Sequence, residues 1–81
     1  MNWTEQDNSL TQTFAFANFR EAFAFMTRVA FIAEELDHHP EWSNVYGEVT
    51  ITLTTHSAGN TVTDLDRKFA AAVDKLVSAS D

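Results

Sequence analysis

The stretch Val49-Thr50-Ile51-Thr52-Leu53-Thr54-Thr55 alternates apolar and polar side chains, and it decides the fold class. Most of its residues are β-branched, which favours a strand, and successive side chains of a strand point to opposite faces. We therefore predict a strand that turns one face to a core and the other away from it. The core face carries Val49, Ile51 and Leu53, and the opposite face carries Thr50, Thr52, Thr54 and His56.

The residues before this strand predict two further strands and a long helix. Residues 3–6 and 10–16 have the pattern of strands, and the turn-forming residues Asp7-Asn8-Ser9 join them. Asn18 followed by Glu21 has the spacing of a capping box, so we expect a helix over residues 19–37. Pro40 ends this helix, because proline disfavours helical geometry at the residue before it. The expected buried stripe of the helix is Phe19, Ala22, Phe23, Met26, Val29, Ala30, Ala33 and Leu36.

The remaining segments complete the order of strands and helices. Residues 41–46 form a short extended segment, residues 57–60 form a loop, and Thr63 can cap a last helix over residues 64–77. The expected buried stripe of that helix is Phe69, Ala72, Val73, Leu76 and Val77. We predict a single α+β domain over residues 1–81, a two-layer sandwich of order β-β-α-β-β-α. Its two helices pack on one face of a four-stranded antiparallel sheet.

Composition and charge exclude several classes of function. The 81 residues carry twelve acidic and five basic side chains, a net charge of −7, so direct nucleic-acid binding is not expected. The chain has no cysteine, which excludes disulfides and thiolate zinc sites. No apolar run approaches the roughly 20 residues of a membrane span, and the first residues lack the pattern of a signal peptide. We expect a cytoplasmic protein without membrane contact, whose small core favours self-association.

The three histidines of the sequence fall at the ends of predicted elements. His38 and His39 follow the first helix, His56 ends the alternating strand, and Glu34 precedes His38 by one helical turn. These positions indicate a histidine-lined site in which Glu34 could orient an imidazole. Three alternatives stay open: a helix C-terminus capped by histidine, a zinc site of His38, His56 and Glu34, and a serine hydrolase. Spacing alone does not name a reaction.

One exposed aromatic residue also has two interpretations. Phe31 lies off the predicted stripe of the first helix, among polar neighbours. It is either a partly exposed aromatic side chain or a subunit contact.

Residues 34–46, which read EELDHHPEWSNVY, resemble the signature of the pterin-4a-carbinolamine dehydratases. The likeness continues through residues 49–56, upstream in FAF at 14–16 and FAFMTRVA at 23–30, and downstream in TDLD at 63–66. It spans roughly residues 10–77. The resemblance implies loss of water from 4a-hydroxytetrahydropterin in the recycling of a tetrahydrobiopterin-type cofactor. It implies a small-molecule pterin substrate, no metal, nicotinamide or flavin cofactor, and a homodimer or homotetramer.

The resemblance also implies roles for individual residues. The catalytic set is His38, His56 and His39, the first two in acid–base chemistry and His39 mainly in holding the pterin. The substrate-binding set is His39, Glu34, Pro40, Trp42, Tyr46 and Asp66.

Some of these positions have a second interpretation. Trp42 and Tyr46 are equally consistent with core packing, and Asp66 with a first-turn acid that stabilises the Thr63 cap. The loop after His56 is one residue longer than the family pattern, which makes Asp64 a rival for the role of Asp66. The alternative function is a non-catalytic partner-binding or dimerisation module of the same fold.

Overall fold

The computed structural model describes residues 3–79, and the order of elements within them is the predicted one. The elements are β1 (Thr4–Gln6), β2 (Ser9–Ala15), α1 (Phe19–Leu36), β3 (Glu41–Val45), β4 (Glu48–Leu53) and α2 (Asp64–Ala79). Met1, Asn2, Ser80 and Asp81, where the predicted domain begins and ends, lie outside the described residues. No helix within residues 3–79 is long and apolar enough to cross a membrane.

The alternating strand β4 lies inside the sheet, between β2 and β3. The strand order in residues 3–79 is β1-β2-β4-β3, and every neighbouring pair is antiparallel. Val49, Ile51 and Leu53 are fully buried, as the alternation predicts. On the opposite face, threonine hydroxyls pair across strands, Thr11 with Thr52 at 3.1 Å and Thr13 with Thr50 at 2.9 Å. Within residues 3–79, the apolar face of the sheet therefore lies against both helices, and no helix or strand covers the polar face.

The strand β4 is shorter than predicted, and this changes the position of His56. The strand ends at Leu53, and His56 opens a 3-10 turn over His56–Ala58. The prediction that His56 continues the outer face of the strand is wrong, because strand alternation no longer applies beyond Leu53. Gly59 closes the turn in the left-handed conformation, with φ of 83°, and its N–H donates to the carbonyl of His56.

The helix α1 begins at the predicted cap and ends in a Schellman motif. The Asn18 side chain accepts the backbone N–H of Glu21 at 2.9 Å, and the Glu21 carboxylate accepts the N–H of Ala17 at 3.2 Å. At the other end Asp37 is left-handed, with φ of 50°, and the N–H of His38 donates to the carbonyl of Ala33 at 3.0 Å. This termination pattern satisfies the last carbonyls of the helix and turns the chain at His38.

The buried stripe of α1 is rotated relative to the prediction. Its buried residues are Ala22, Phe25, Val29 and Ala33. Phe19 and Phe23, predicted to be buried, are 48% and 54% exposed, and Ala30 is also exposed. The prediction failed because apolar residues occupy nearly the whole circumference of this helix, so their spacing does not select one face. Phe25 is selected by its contacts, since its ring lies 4.9 Å from those of Phe14 and Phe16.

The second helix follows its predicted stripe more closely. Phe69 and Val73 are fully buried, whereas Val77 is 37% exposed. Ala70, which the prediction omitted, is buried against the sheet side of the core. The N-terminal edge of the sheet is tied to this helix because the Trp3 indole donates to Asp74 at 3.0 Å.

Gly47 lies where two backbone segments come too close for a side chain. A Cβ atom built there would stand 2.4 Å from the Phe16 carbonyl oxygen, and the Gly47 carbonyl accepts the N–H of Phe16 at 2.8 Å.

We expect Gly47→Ala to lower the free energy of unfolding by about 1–3 kcal/mol, since the hairpin must separate from β2. Urea denaturation measures this. Gly59→Asn is the control, because that position is open and asparagine tolerates positive φ, and an equal loss there would contradict the prediction.

Candidate functional site

The site is built around the carboxylate of Asp66, which is fully buried in the first turn of α2. Its Oδ1 lies 2.5 Å from Nε2 of His38, whose residue is only 9% exposed. The Schellman turn at the end of α1 brings His38 to this position, and the Phe69 ring lies edge-on to the imidazole at 6.1 Å. The end of one helix and the start of the other therefore meet in a buried histidine–carboxylate pair.

Two threonines complete the coordination of the carboxylate. Oδ2 of Asp66 accepts the Thr55 hydroxyl at 2.6 Å and the backbone N–H of Thr63 at 2.9 Å. The two threonine hydroxyls are themselves 2.7 Å apart. Since the Thr55 proton goes to Asp66, the Thr63 hydroxyl donates to Thr55. Both oxygens of a carboxylate without solvent contact thus have hydrogen-bond donors.

These contacts set the charge of Asp66. Burial raises the pKa of the Asp66 carboxyl, but hydrogen bonds from Thr55, Thr63 and His38, together with the charge of His38, act the other way. The net result is a pKa below the ordinary value, so the carboxylate is ionised at neutral pH. An ionised carboxylate accepts the N–H on Nε2 of His38 and fixes the orientation of that ring.

His39 has a different partner and a different environment. Its Nε2 lies 3.1 Å from Oε2 of Glu34, and both side chains are mostly exposed. Glu34 would share a helical face with His38 only if the helix continued to His38, but α1 ends at Leu36 and the left-handed Asp37 turns His38 inward. Glu34 therefore contacts the second histidine of the pair, and Asp66 contacts the first.

His56 is held by a residue of its own loop. Its Nδ1 lies 2.5 Å from Oδ1 of Asn60, and both side chains are exposed. His56 directly follows Thr55, whose hydroxyl binds the Asp66 carboxylate. The chain therefore places His56 one residue away from the cluster that holds His38.

The structure distributes the other predicted residues around this cluster. Trp42 is half-buried against the core, as the packing interpretation has it, whereas Tyr46 is 67% exposed in the turn before Gly47. Pro40 and Trp42 line an open depression of about 540 Å³ together with Thr50 and Thr52. Asp64 is exposed, so Asp66 and not Asp64 binds His38. No group of three or more His, Asp or Glu side chains within residues 3–79 could hold a metal ion.

The sequence did not single out Thr55 or Asn60 as site residues. Thr55 appeared as the last residue of a strand, and Asn60 as the last residue of a loop. Thr55 could have been identified as a site residue because it directly precedes His56. For Asn60 the signal was an asparagine after Gly59, since asparagine often adopts positive φ and its short amide can bind groups of its own loop.

Comparison with known proteins assigns the chain to a family. The sequence model described as Pterin 4 alpha carbinolamine dehydratase matches residues 1–76. A Bradyrhizobium protein is 53% identical over 79 residues, which cover 95% of this chain and 78% of that protein. A Prochlorococcus marinus protein is 51% identical over 74 residues, which cover 91% and 76%. Both carry the name pterin-4-alpha-carbinolamine dehydratase, in a form that marks the assignment as provisional.

Two solved structures share the fold. The crystal structure titled transcriptional coactivator/pterin dehydratase from Brucella melitensis has a TM-score of 0.85 and 47% identity, and the match covers 90% of this chain and 79% of that one. A pterin dehydratase-like protein, described as a RuBisCO assembly factor in the alpha-carboxysome, has a TM-score of 0.79 and 32% identity. The match covers 94% of this chain and 89% of that one. With the family model matching nearly the whole chain, the protein belongs to the pterin-4a-carbinolamine dehydratase family.

Proposed function

We propose that the protein removes water from 4a-hydroxytetrahydropterin and so recycles a tetrahydrobiopterin-type cofactor in the cytoplasm. The observation that carries this proposal is the buried pair of His38 and Asp66, flanked along the chain by His39 and His56. A buried, fully hydrogen-bonded carboxylate that orients a histidine is an arrangement suited to proton transfer. The family to which the chain belongs indicates the reaction that this proton transfer would serve, the dehydration of a pterin carbinolamine.

The reaction needs one proton donor and one proton acceptor. The C4a–O bond breaks as the departing hydroxyl takes a proton, and the proton on N5 leaves as the N5–C4a double bond forms. The products are water and the quinonoid dihydropterin. Imidazole can donate or accept a proton near neutral pH, because its unperturbed pKa is about 6.5. Two histidines in suitable protonation states are therefore sufficient for the elimination.

We assign the two proton transfers to His38 and His56. The Nε2 of His38 is occupied by Asp66, which leaves Nδ1 for the substrate. The Nδ1 of His56 is occupied by Asn60, which leaves Nε2 for the substrate. Each ring thus has one nitrogen anchored by the protein and one available for chemistry, as a positioned acid or base requires.

His39 and its neighbours are assigned to pterin binding. His39 and Glu34 form an exposed polar pair at the end of α1, directly before Pro40 and the depression that Trp42 lines. A pterin ring offers donors and acceptors along its edge, so an exposed imidazole–carboxylate pair is suited to it. Tyr46 belongs to this set through its matching position in the family motif.

Self-association is a second proposal, and it rests on the exposed apolar side of α1. The Phe19 and Phe23 rings lie 5.6 Å apart at 48% and 54% exposure, and Phe31, two turns beyond Phe23, is 71% exposed. Three large aromatic side chains exposed on one helix of so small a protein are typical of an interface. We propose that this face, Phe19, Phe23 and Phe31, packs against a second copy in a homodimer or homotetramer.

The same face supports the alternative function. A non-catalytic member of this fold could use Phe19, Phe23 and Phe31 to bind a different protein, and the names of both structural relatives describe roles besides dehydration. The three histidines and the buried pair of His38 and Asp66 favour the enzyme, because a binding module has no chemical need for them. With few basic side chains on a chain of net charge −7, nucleic acid is not a proposed partner.

Removing either acid–base histidine should slow the reaction strongly. We expect His38→Ala and His56→Ala each to lower kcat by about 10²–10⁴-fold, the usual contribution of a positioned acid or base. His39→Ala should raise KM more than it lowers kcat. Ultraviolet absorbance follows the dehydration of 4a-hydroxytetrahydropterin, with Glu35→Gln as an exposed control on α1. Full activity of all three histidine variants would rule out this site.

The depressed pKa of Asp66 makes stability depend on pH. A carboxyl group with a lowered pKa in the folded state stabilises the fold above its unfolded pKa, near 3.8, and loses this contribution as pH falls through the lower folded value. We expect Asp66→Asn to cost about 1–3 kcal/mol at neutral pH, because buried donors lose their acceptor. The difference from wild type should shrink below about pH 4.

Urea denaturation from pH 3 to pH 7 measures this difference. Asp64→Asn is the matched control, because that carboxylate lies two residues away on the same helix turn and is exposed. A gap between wild type and Asp66→Asn that stays constant across this range would show that ionisation of Asp66 does not stabilise the fold.

The apolar face of α1 can be tested separately from activity. We expect Phe23→Glu/Phe31→Glu to shift the protein toward the 9.1 kDa monomer in sedimentation equilibrium, because the charges cannot be buried in an apolar interface. Val45→Glu is the control, since Val45 is 75% exposed but belongs to the edge strand β3 and not to α1. A monomeric wild type, or dissociation by Val45→Glu alone, would exclude the proposed interface.

A further inference from the structure

The loop that carries His56 is a closed unit with few degrees of freedom. The N–H of Thr55 donates to the carbonyl of Thr61 at 2.9 Å, and the Thr55 carbonyl accepts the N–H groups of Ala58 and Asn60 at 3.2 and 3.1 Å. Asn60 adopts positive φ, 60°. The backbone of residues 55–61 therefore brings Asn60 back to His56, where the two side chains are in contact.

The contact between these two side chains determines which nitrogen of His56 carries the proton. Oδ1 of Asn60 is an acceptor and lies 2.5 Å from Nδ1 of His56. Nδ1 must then be the protonated nitrogen, because an amide oxygen can only accept. In the neutral ring this leaves Nε2 with a free lone pair.

His38 has the opposite arrangement. Its Nε2 faces the buried Asp66 carboxylate, so in the neutral ring Nε2 carries the proton and Nδ1 does not. The partner of His38 is ionised and buried, whereas the partner of His56 is a neutral amide on an exposed loop. In their neutral forms the two imidazoles are thus held in opposite tautomers by chemically different groups.

We infer that Asn60 is a positioning residue for His56: its side-chain carbonyl fixes the Nδ1–H tautomer and presents Nε2 of His56 as the atom that exchanges a proton with the pterin. The assignment of His56 to proton transfer rests on the proposed function. The tautomer itself follows from the loop and does not depend on turnover, so the two can fail independently.

Two substitutions separate the hydrogen bond from the shape of the loop. Asn60→Gly keeps the positive φ accessible and removes the acceptor. Asn60→Asp keeps an oxygen at the same place, and a carboxylate also accepts from Nδ1. A structural role alone would be satisfied by glycine, whereas a positioning role is restored only by aspartate.

Two-bond ¹H–¹⁵N correlation spectra of full-length protein measure the tautomers directly, at a pH where the rings are neutral. In wild type we expect His56 to be protonated at Nδ1 and His38 at Nε2, so His38 is an internal control. Asn60→Gly should abolish the preference at His56 and leave His38 unchanged, and Asn60→Asp should retain both patterns. Single His→Gln variants assign the signals.

The kinetic expectation follows from the same geometry. Asn60→Gly should lower kcat by roughly 10–100-fold, the usual cost of removing a group that orients a functional side chain, with little change in KM and an unchanged thermal unfolding midpoint. Asn60→Asp should recover most of the lost kcat.

Each outcome decides one of the two claims. A wild-type His56 protonated at Nε2, or an Nδ1–H tautomer that persists in Asn60→Gly, overturns the role of Asn60 even if the protein dehydrates pterin. Full kcat in Asn60→Gly overturns it as well. The wild type could also be inactive and still show the expected tautomers. If the His56 tautomer is then lost in Asn60→Gly, the dehydratase activity is refuted and the positioning of His56 by Asn60 is supported.

Discussion

An ionised carboxylate without solvent contact must replace the hydration that it loses on folding, and Asp66 does so with three donors. These donors are the residue that follows the C-terminal turn of α1, the residue directly before the 3-10 turn, and the residue that precedes α2. Removing any one leaves a buried polar group without its partner, which is costly. The hydrogen bonds that compensate the burial of the Asp66 charge therefore also hold the end of α1, the 3-10 turn and the start of α2 together.

This arrangement links the site to the fold. The helices and β4 are packed through apolar side chains, and the hydrophobic interactions between them are non-directional. The directional bonds to Asp66 define where His38 and Thr55 lie relative to each other, and the chain then places His39 and His56 one residue further along. The loop that carries His56 must then keep its two ends together, and the bridge between Thr55 and Thr61 joins them.

The sequence predicted the architecture because its apolar pattern was unambiguous in β4, the strand on which the two-layer arrangement depends. Alternation in β4 identified the buried face, and the predicted cap positions Asn18 and Thr63 directly precede the two helices. It could not predict which side of α1 is buried, since phenylalanines lie around that helix and only contact with Phe14 and Phe16 selects Phe25. The sequence also could not predict the hydrogen-bond partners of the histidines. These partners depend on the left-handed turn at Asp37 and on a loop that brings Asn60 back to His56.

The two tryptophans of the chain lie at opposite margins of the sheet. Trp3 directly precedes β1 and contacts Phe14 and Asp74, whereas Trp42 belongs to β3 and rests on the other side of the core. Indole emission shifts to longer wavelength on contact with water, so each fluorophore reports the attachment of its own edge strand. A chain with a single remaining tryptophan at either position would show whether the two margins of the sheet detach together or one before the other. Cooperativity within this small fold is thereby accessible to an optical measurement that needs no label.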